Sequence, residues 1–174
     1  MIELTPGFRL EIKQALSDSD RQQIFGWSPD IFGVGDLTIE WRLKDVHFIA
    51  YEKELAASHV GTLLQTVEAG RDRLHVCGVG GVTTRPEFQG RMLAQTLLRE
   101  ALSHGRESGA DFGFLFCFPR LIDFYLSQGW SLLDAEVLVR QREEEIQPPV
   151  RAMVIPLGRG VWPEGTVRLL SHPW

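Results

Sequence analysis

The stretch from Leu74 to Phe118 restricts the fold of this chain more than any other. Leu74–Thr84 (LHVCGVGGVTT) reads as a strand, and its glycines at 78, 80 and 81 would weaken it unless something needs close approach to the backbone. Pro86–Gly90 leads into a helix that runs to about Ser108. Leu93, Leu97, Leu98, Ala101 and Leu102 share one face of that helix, and Gly105 and Gly109 mark its end. Phe112–Phe118 is a continuous apolar run bounded by glycine and proline, the pattern of a fully buried strand. A strand, an amphipathic helix and a wholly apolar strand in succession favour a parallel βαβ unit at the centre of a sheet.

The flanking segments fit around that unit. Phe8–Leu16 reads as a strand, and Ser17–Asp20 supplies N-cap chemistry for a helix to about Phe25. Trp27–Asp36, rich in glycine, proline and aromatics, reads as a loop or broken helix of the kind that lines sites. Val46–Lys53 and Ala56–Val67, joined by a short turn, predict an antiparallel hairpin. Pro119–Gln128 predicts a helix ended by Gly129, and Ser131–Gln141 and Val150–Leu157 predict two closing strands joined by an exposed acidic segment. Arg159–Trp174 reads as an irregular tail. The expectation is one mixed α/β (α+β) domain over 1–174, with its core in about 8–157 and a central mixed sheet of roughly six or seven strands flanked by helices.

Composition bounds the function. Of 174 residues 44% are hydrophobic and 24% charged, which are globular proportions that exclude wholesale disorder. The net charge of −5 argues against a duplex nucleic-acid binder, which needs a basic face to displace counterions. No apolar run is long enough to span a bilayer, and the opening MIELTPGFRLEIK lacks the basic-then-apolar block of a secretory leader. Cys77 and Cys117 each sit in an apolar run and predict buried, reduced thiols in a cytoplasmic protein. They lack the spacing and histidine partners of a metal site, so no metal is expected.

The chemistry is concentrated where the glycine-bearing strand gives way to the helix. The first N–H groups of a helix have no internal acceptor and lie at the positive end of its dipole. Gln89, Gly90, Arg91, Met92, Leu93 and Ala94 therefore predict a fan of backbone donors suited to phosphate. This stretch resembles the acyl-CoA-binding motif of the GNAT superfamily of N-acetyltransferases, Gln/Arg-x-x-Gly-x-Gly/Ala. Gln89 and Ala94 fit, as does the lead-in of Val82, Pro86 and Phe88, while Met92 replaces the central glycine. Phe124-Tyr125-Leu126-Ser127-Gln128-Gly129-Trp130 is similar to a second segment of that superfamily, Phe-Tyr-x-x-x-Gly-Phe/Trp.

The resemblance implies acetyl-CoA as co-substrate, lying along Val82, Thr83 and Thr84 with its pyrophosphate at Gln89–Ala94. It also implies direct transfer of the acetyl group to a primary amine of a small molecule, with Tyr125 protonating the departing thiolate. Many members of the superfamily dimerise, which makes a homodimer one implied arrangement. The general base is left open. Many relatives carry a glutamate on the glycine-bearing strand, but Cys77–Val82 has no carboxylate. His75 on that strand is one candidate; Glu52, Glu164, His172 and the Trp174 carboxylate are others, and bulk water with an amine of lowered pKa is an alternative. The tail from Met153 to Val167 is similar to that of nodulation acyltransferases, and a final tryptophan resembles aminoglycoside 2′-N-acetyltransferases. Those likenesses add a longer acyl donor and an amino-sugar acceptor as an alternative. A non-catalytic acyl-CoA-binding module is a further one, favoured by Met92 and the missing carboxylate.

Overall fold

The structure is a computed structural model that describes residues 6–174. The first five residues of the opening segment, on which part of the leader argument rests, lie outside the described residues. The elements in chain order are β1 (Phe8–Lys13), α1 (Asp18–Phe25), β2 (Val46–Glu52), β3 (Leu55–Ala69), β4 (Asp72–Thr84), α2 (Leu93–Glu107), β5 (Phe112–Cys117), α3 (Ile122–Ser127), β6 (Ser131–Leu132), β7 (Val137–Gln141), β8 (Glu144–Ile146), β9 (Arg151–Pro156) and β10 (Val167–Leu169). Short 3-10 turns at Pro86–Phe88 and Pro119–Leu121 precede α2 and α3. Among the described residues there are ten strands, which corrects the expected six or seven. The mixed α/β class is as the sequence predicts. No helix among the described residues is long and apolar enough to cross a membrane.

The chain divides into two compact units. The first holds residues 6–38, 44–62 and 80–101. In it β1 pairs antiparallel with β2, and β2 with the first part of β3, the hairpin that the sequence predicts. Lys53 takes a left-handed backbone (φ 55°) to make its turn. The helix α1 begins with a capping box, the Ser17 side chain accepting from the Asp20 N–H while the Asp20 carboxylate accepts from the Ser17 N–H. Ile24 on its buried face, with Leu16 just ahead of the helix, packs on Ile49, Tyr51 and Ala56.

Asp20 also joins α1 to the strands. Its carboxylate accepts from the Tyr51 hydroxyl at 2.6 Å and from Lys13 Nζ at 2.9 Å, and Lys13 donates in turn to the Tyr51 oxygen at 3.0 Å. Burial alone would raise the Asp20 pKa, but the hydrogen bonds from Tyr51, Lys13 and Ser17 outweigh it and hold the carboxyl well below its usual range. The Tyr51 and Asp20 hydrogen bonds hold Lys13 above its own.

The second unit holds residues 39–43, 63–79 and 102–174. Its strands run in the order β6-β9-β5-β4-β3-β10-β7-β8. Val76–Val79 of β4 pairs in parallel with Phe112–Leu115 of β5, as the βαβ reading predicts. Val67, Val76, Phe114, Val139, Val154 and Leu169 are among the residues of its core. Two expectations are corrected here. The tail is not irregular throughout, because Val167–Leu169 forms β10 between β3 and β7. Gly105 does not end α2 but lies within it, where a Cβ would overlap Cys77; Gly109, at φ 86°, follows the last turn.

Candidate functional site

In the first unit the 3-10 turn Pro86–Phe88 anchors the approach to α2. Phe88 is buried, and its ring meets Phe8 edge-on at 5.8 Å between centroids. The Gln89 N–H is taken by the Pro86 carbonyl at 3.3 Å, and its side-chain amide donates to the Thr84 carbonyl at 3.2 Å. Gln89 thus fastens the loop to the end of β4. The predicted donor fan is narrower by this one N–H.

The fan proper follows. Among the described residues, the N–H groups of Gly90, Met92, Leu93 and Ala94 take no backbone acceptor, and helical bonding starts with Thr96 N–H to the Met92 carbonyl. Gly90 (φ 77°) and Met92 (φ 59°) both adopt left-handed backbone, and a Cβ at Gly90 would meet only open space. A methionine in this region is uncommon, which is the physical reason for glycine in the motif it resembles. Met92 turns its side chain outward and leaves it 58% exposed. Along the preceding strand, Ser58 Oγ donates to the Thr83 carbonyl at 2.9 Å and lies 2.8 Å from Thr84 Oγ1.

The same unit holds a feature that the sequence reading missed. His47 on β2 and His59 on β3 are both buried, with His47 Nδ1 and His59 Nε2 3.0 Å apart. His59 Nδ1 lies 2.7 Å from the Gly81 carbonyl oxygen. Gly81 has φ 61°, and a Cβ there would crowd the His59 ring. The ring of Phe25 packs edge-on against His59. Burial depresses the pKa of His59 to about 3 and also lowers that of His47. The signal was present in the hairpin register, because Ile49 faces His59 and Gly61 faces His47, which makes the two histidines diagonal neighbours on one face.

In the second unit Tyr125 is buried on α3, with its ring against Phe124 and Trp130. Its hydroxyl makes no hydrogen bond among the described residues. Burial raises its pKa, with a smaller contribution from Cys117, so the phenol keeps its proton through the physiological range. His75 is an exposed residue of β4, with Nδ1 3.2 Å from the Thr66 hydroxyl. Cys77 and Cys117 are buried thiols, and burial pushes them up to about 12 and about 11, which leaves both unreactive.

The remaining base candidates are engaged or exposed. Glu52 pairs with Arg91 at 3.5 Å. His172 Nδ1 donates to the Arg140 carbonyl at 3.0 Å, with Nε2 3.4 Å from Glu40. Glu164 is exposed. Trp174 is a core residue whose indole donates to the Phe114 carbonyl at 3.3 Å. It fills the space that Gly78 leaves, so Gly78 serves packing rather than the approach of a substrate. No cluster of side chains able to hold a metal ion occurs among the described residues.

The family model for the Acetyltransferase (GNAT) domain matches residues 15–133. The chain belongs to the GNAT acetyltransferase family. It is therefore an enzyme of the acyl-CoA-dependent N-acyltransferase class. Solved structures share its fold. YhbS of Escherichia coli, a GNAT family N-acetyltransferase in complex with CoA, is 17% identical with a TM-score of 0.61, over 97% of this chain and 93% of that one. A GNAT family acetyltransferase from Brucella melitensis in complex with acetyl-CoA is 17% identical with a TM-score of 0.54, over 91% of this chain and 94% of that one. Escherichia coli ElaA is 18% identical with a TM-score of 0.57, over 84% of this chain and 98% of that one. No curated protein matches the chain.

Proposed function

We propose that this GNAT domain transfers an acetyl group from acetyl-CoA to a primary amine of a small molecule. The observation that carries the reading is the left-handed loop before α2, where Gly90, Met92, Leu93 and Ala94 offer backbone donors with no acceptor of their own. Those donors at a helix start suit the CoA pyrophosphate. Arg91 in the same loop adds positive charge, and Val82, Thr83 and Thr84 supply strand backbone for the amides of the pantetheine arm. CoA supplies the activated thioester. This chain's residues orient it and handle protons.

In this reading the neutral amine attacks the thioester carbonyl, the C–S bond breaks, and Tyr125 gives its proton to the leaving sulfur. The phenolate recovers a proton from the acylated nitrogen. The buried, protonated state of Tyr125 supports the role. His75, with its exposed imidazole, stays a proposed base for the amine. Residues 1–174 act as one catalytic domain in this proposal. A longer acyl donor with an amino-sugar acceptor stays the alternative, although Trp174, one of the residues that suggested it, is packed in the core.

Tyr125→Phe tests the chemistry. The acetylation rate across a panel of primary amines is expected to fall by about 100-fold or more, with acetyl-CoA affinity close to wild type. An unchanged rate with Phe at this position would remove Tyr125 from the mechanism, and binding without turnover in the wild type would favour the non-catalytic module.

A further inference from the structure

The His47–His59 pair has a proton arrangement that its geometry dictates. A carbonyl oxygen only accepts, so the 2.7 Å contact with Gly81 requires a proton on His59 Nδ1. Burial keeps His59 neutral, so its Nε2 carries a lone pair. The 3.0 Å contact then requires His47 to donate from Nδ1. The basic lone pair of the pair is left on His47 Nε2, which has no hydrogen-bond partner among the described residues, and His47 keeps 8% of its surface exposed.

We propose that His47 is the proton acceptor for the incoming amine, and that His59 is the residue that positions it by fixing its tautomer against the Gly81 carbonyl. The inference rests on the acetyl-transfer reading and sets His47, in place of the exposed His75, in the role of the carboxylate that Cys77–Val82 lacks. The step balances. An N–H bond of the substrate ammonium breaks, His47 Nε2 takes that proton, and the freed lone pair attacks the thioester. The imidazolium later returns its proton to water. A second proton held on nitrogen after attack leaves with the thiol.

The charged surroundings set where this base works. Burial lowers the pKa of His47, and Arg21 on α1 and Lys44 ahead of β2 lower it further, against the smaller opposing pull of Asp20 and Asp45. Phe25 covers the His59 ring and adds no charge. The base form therefore persists to a more acid pH than an ordinary histidine allows. Activity should rise with pH through a midpoint below the usual histidine value of about 6.5.

The test measures thiol release from acetyl-CoA against pH, using whichever of spermidine, glucosamine and an amino-acid amide the wild type acetylates fastest. His47→Gln can still donate to His59 but cannot take a proton. Its rate at neutral pH should drop by about 100-fold, and its activity should climb only toward the pKa of the free amine. His59→Gln should keep part of the rate with the acid limb moved, and both variants should retain acetyl-CoA binding and the wild-type unfolding midpoint within a few degrees. A wild-type pH profile in folded His47→Gln overturns the proposal while the acetyl-transfer reading stands. Failure of the wild type to bind acetyl-CoA overturns both.

Discussion

Asp20 shows how much a single side chain can hold. It caps α1, accepts from Tyr51 on β2 and pairs with Lys13 on β1, all through one carboxylate. Its pKa is lower folded than unfolded, so its contribution is complete above the unfolded value near 3.8 and is lost as pH falls below it. Asp20→Asn should destabilise the protein by about 2–3 kcal/mol at pH 7, since hydrogen bonds to a charged group are removed around a buried position. The difference from wild type should shrink as pH drops below about 4. Chemical unfolding at pH 7 and pH 3 checks both statements; an equal gap at the two pH values would mean that the carboxylate charge is not the source. The cap was legible from Ser17 and Asp20 in sequence. The bond to Tyr51 was not, because it depends on where a helix lands on a strand hairpin.

At the scale of elements, sequence patterns succeeded where an element is long or periodic. The β2–β3 hairpin announced itself through two apolar runs and a short turn, and α2 through five apolar residues on one face. Short elements escaped. β10 is only Val167–Leu169, set among glycine and proline, and its strand character comes from partners on both sides rather than from its own alternation. The glycines of β4 look alike in sequence yet differ in role. Gly78 makes room for the Trp174 indole, while Gly81 takes a left-handed backbone beside His59. Gly78→Ala should therefore cost about 1–3 kcal/mol, the penalty for overpacking a closed core, because the indole is held by its bond to the Phe114 carbonyl. Trp174→Ala in the same background should restore part of the lost stability relative to Trp174→Ala alone. Additive losses in a thermal-unfolding cycle would argue that the two positions do not compete for the same space.

For the molecule as a whole, the order of elements and two short motifs were enough to read the GNAT class from sequence, and the family match supports that reading. The acceptor was not legible, because loops such as 26–45 carry no periodic pattern to fix them. The histidine pair could be found only through the hairpin register, since register rather than spacing along the chain brings His47 to His59.

The central claim is that unengaged amides ahead of α2 hold the CoA pyrophosphate, and calorimetric titration with acetyl-CoA tests it most directly. Gly90→Pro removes one donor and its φ of 77° together, while Gln89 before it is already extended as a residue before proline must be. Affinity should fall by about 10- to 100-fold with the fold intact, the loss expected for one charge-assisted hydrogen bond or more. Met92→Gly, which relieves a left-handed side chain in the same loop, should bind at least as tightly as wild type. Full affinity in folded Gly90→Pro would contradict the account.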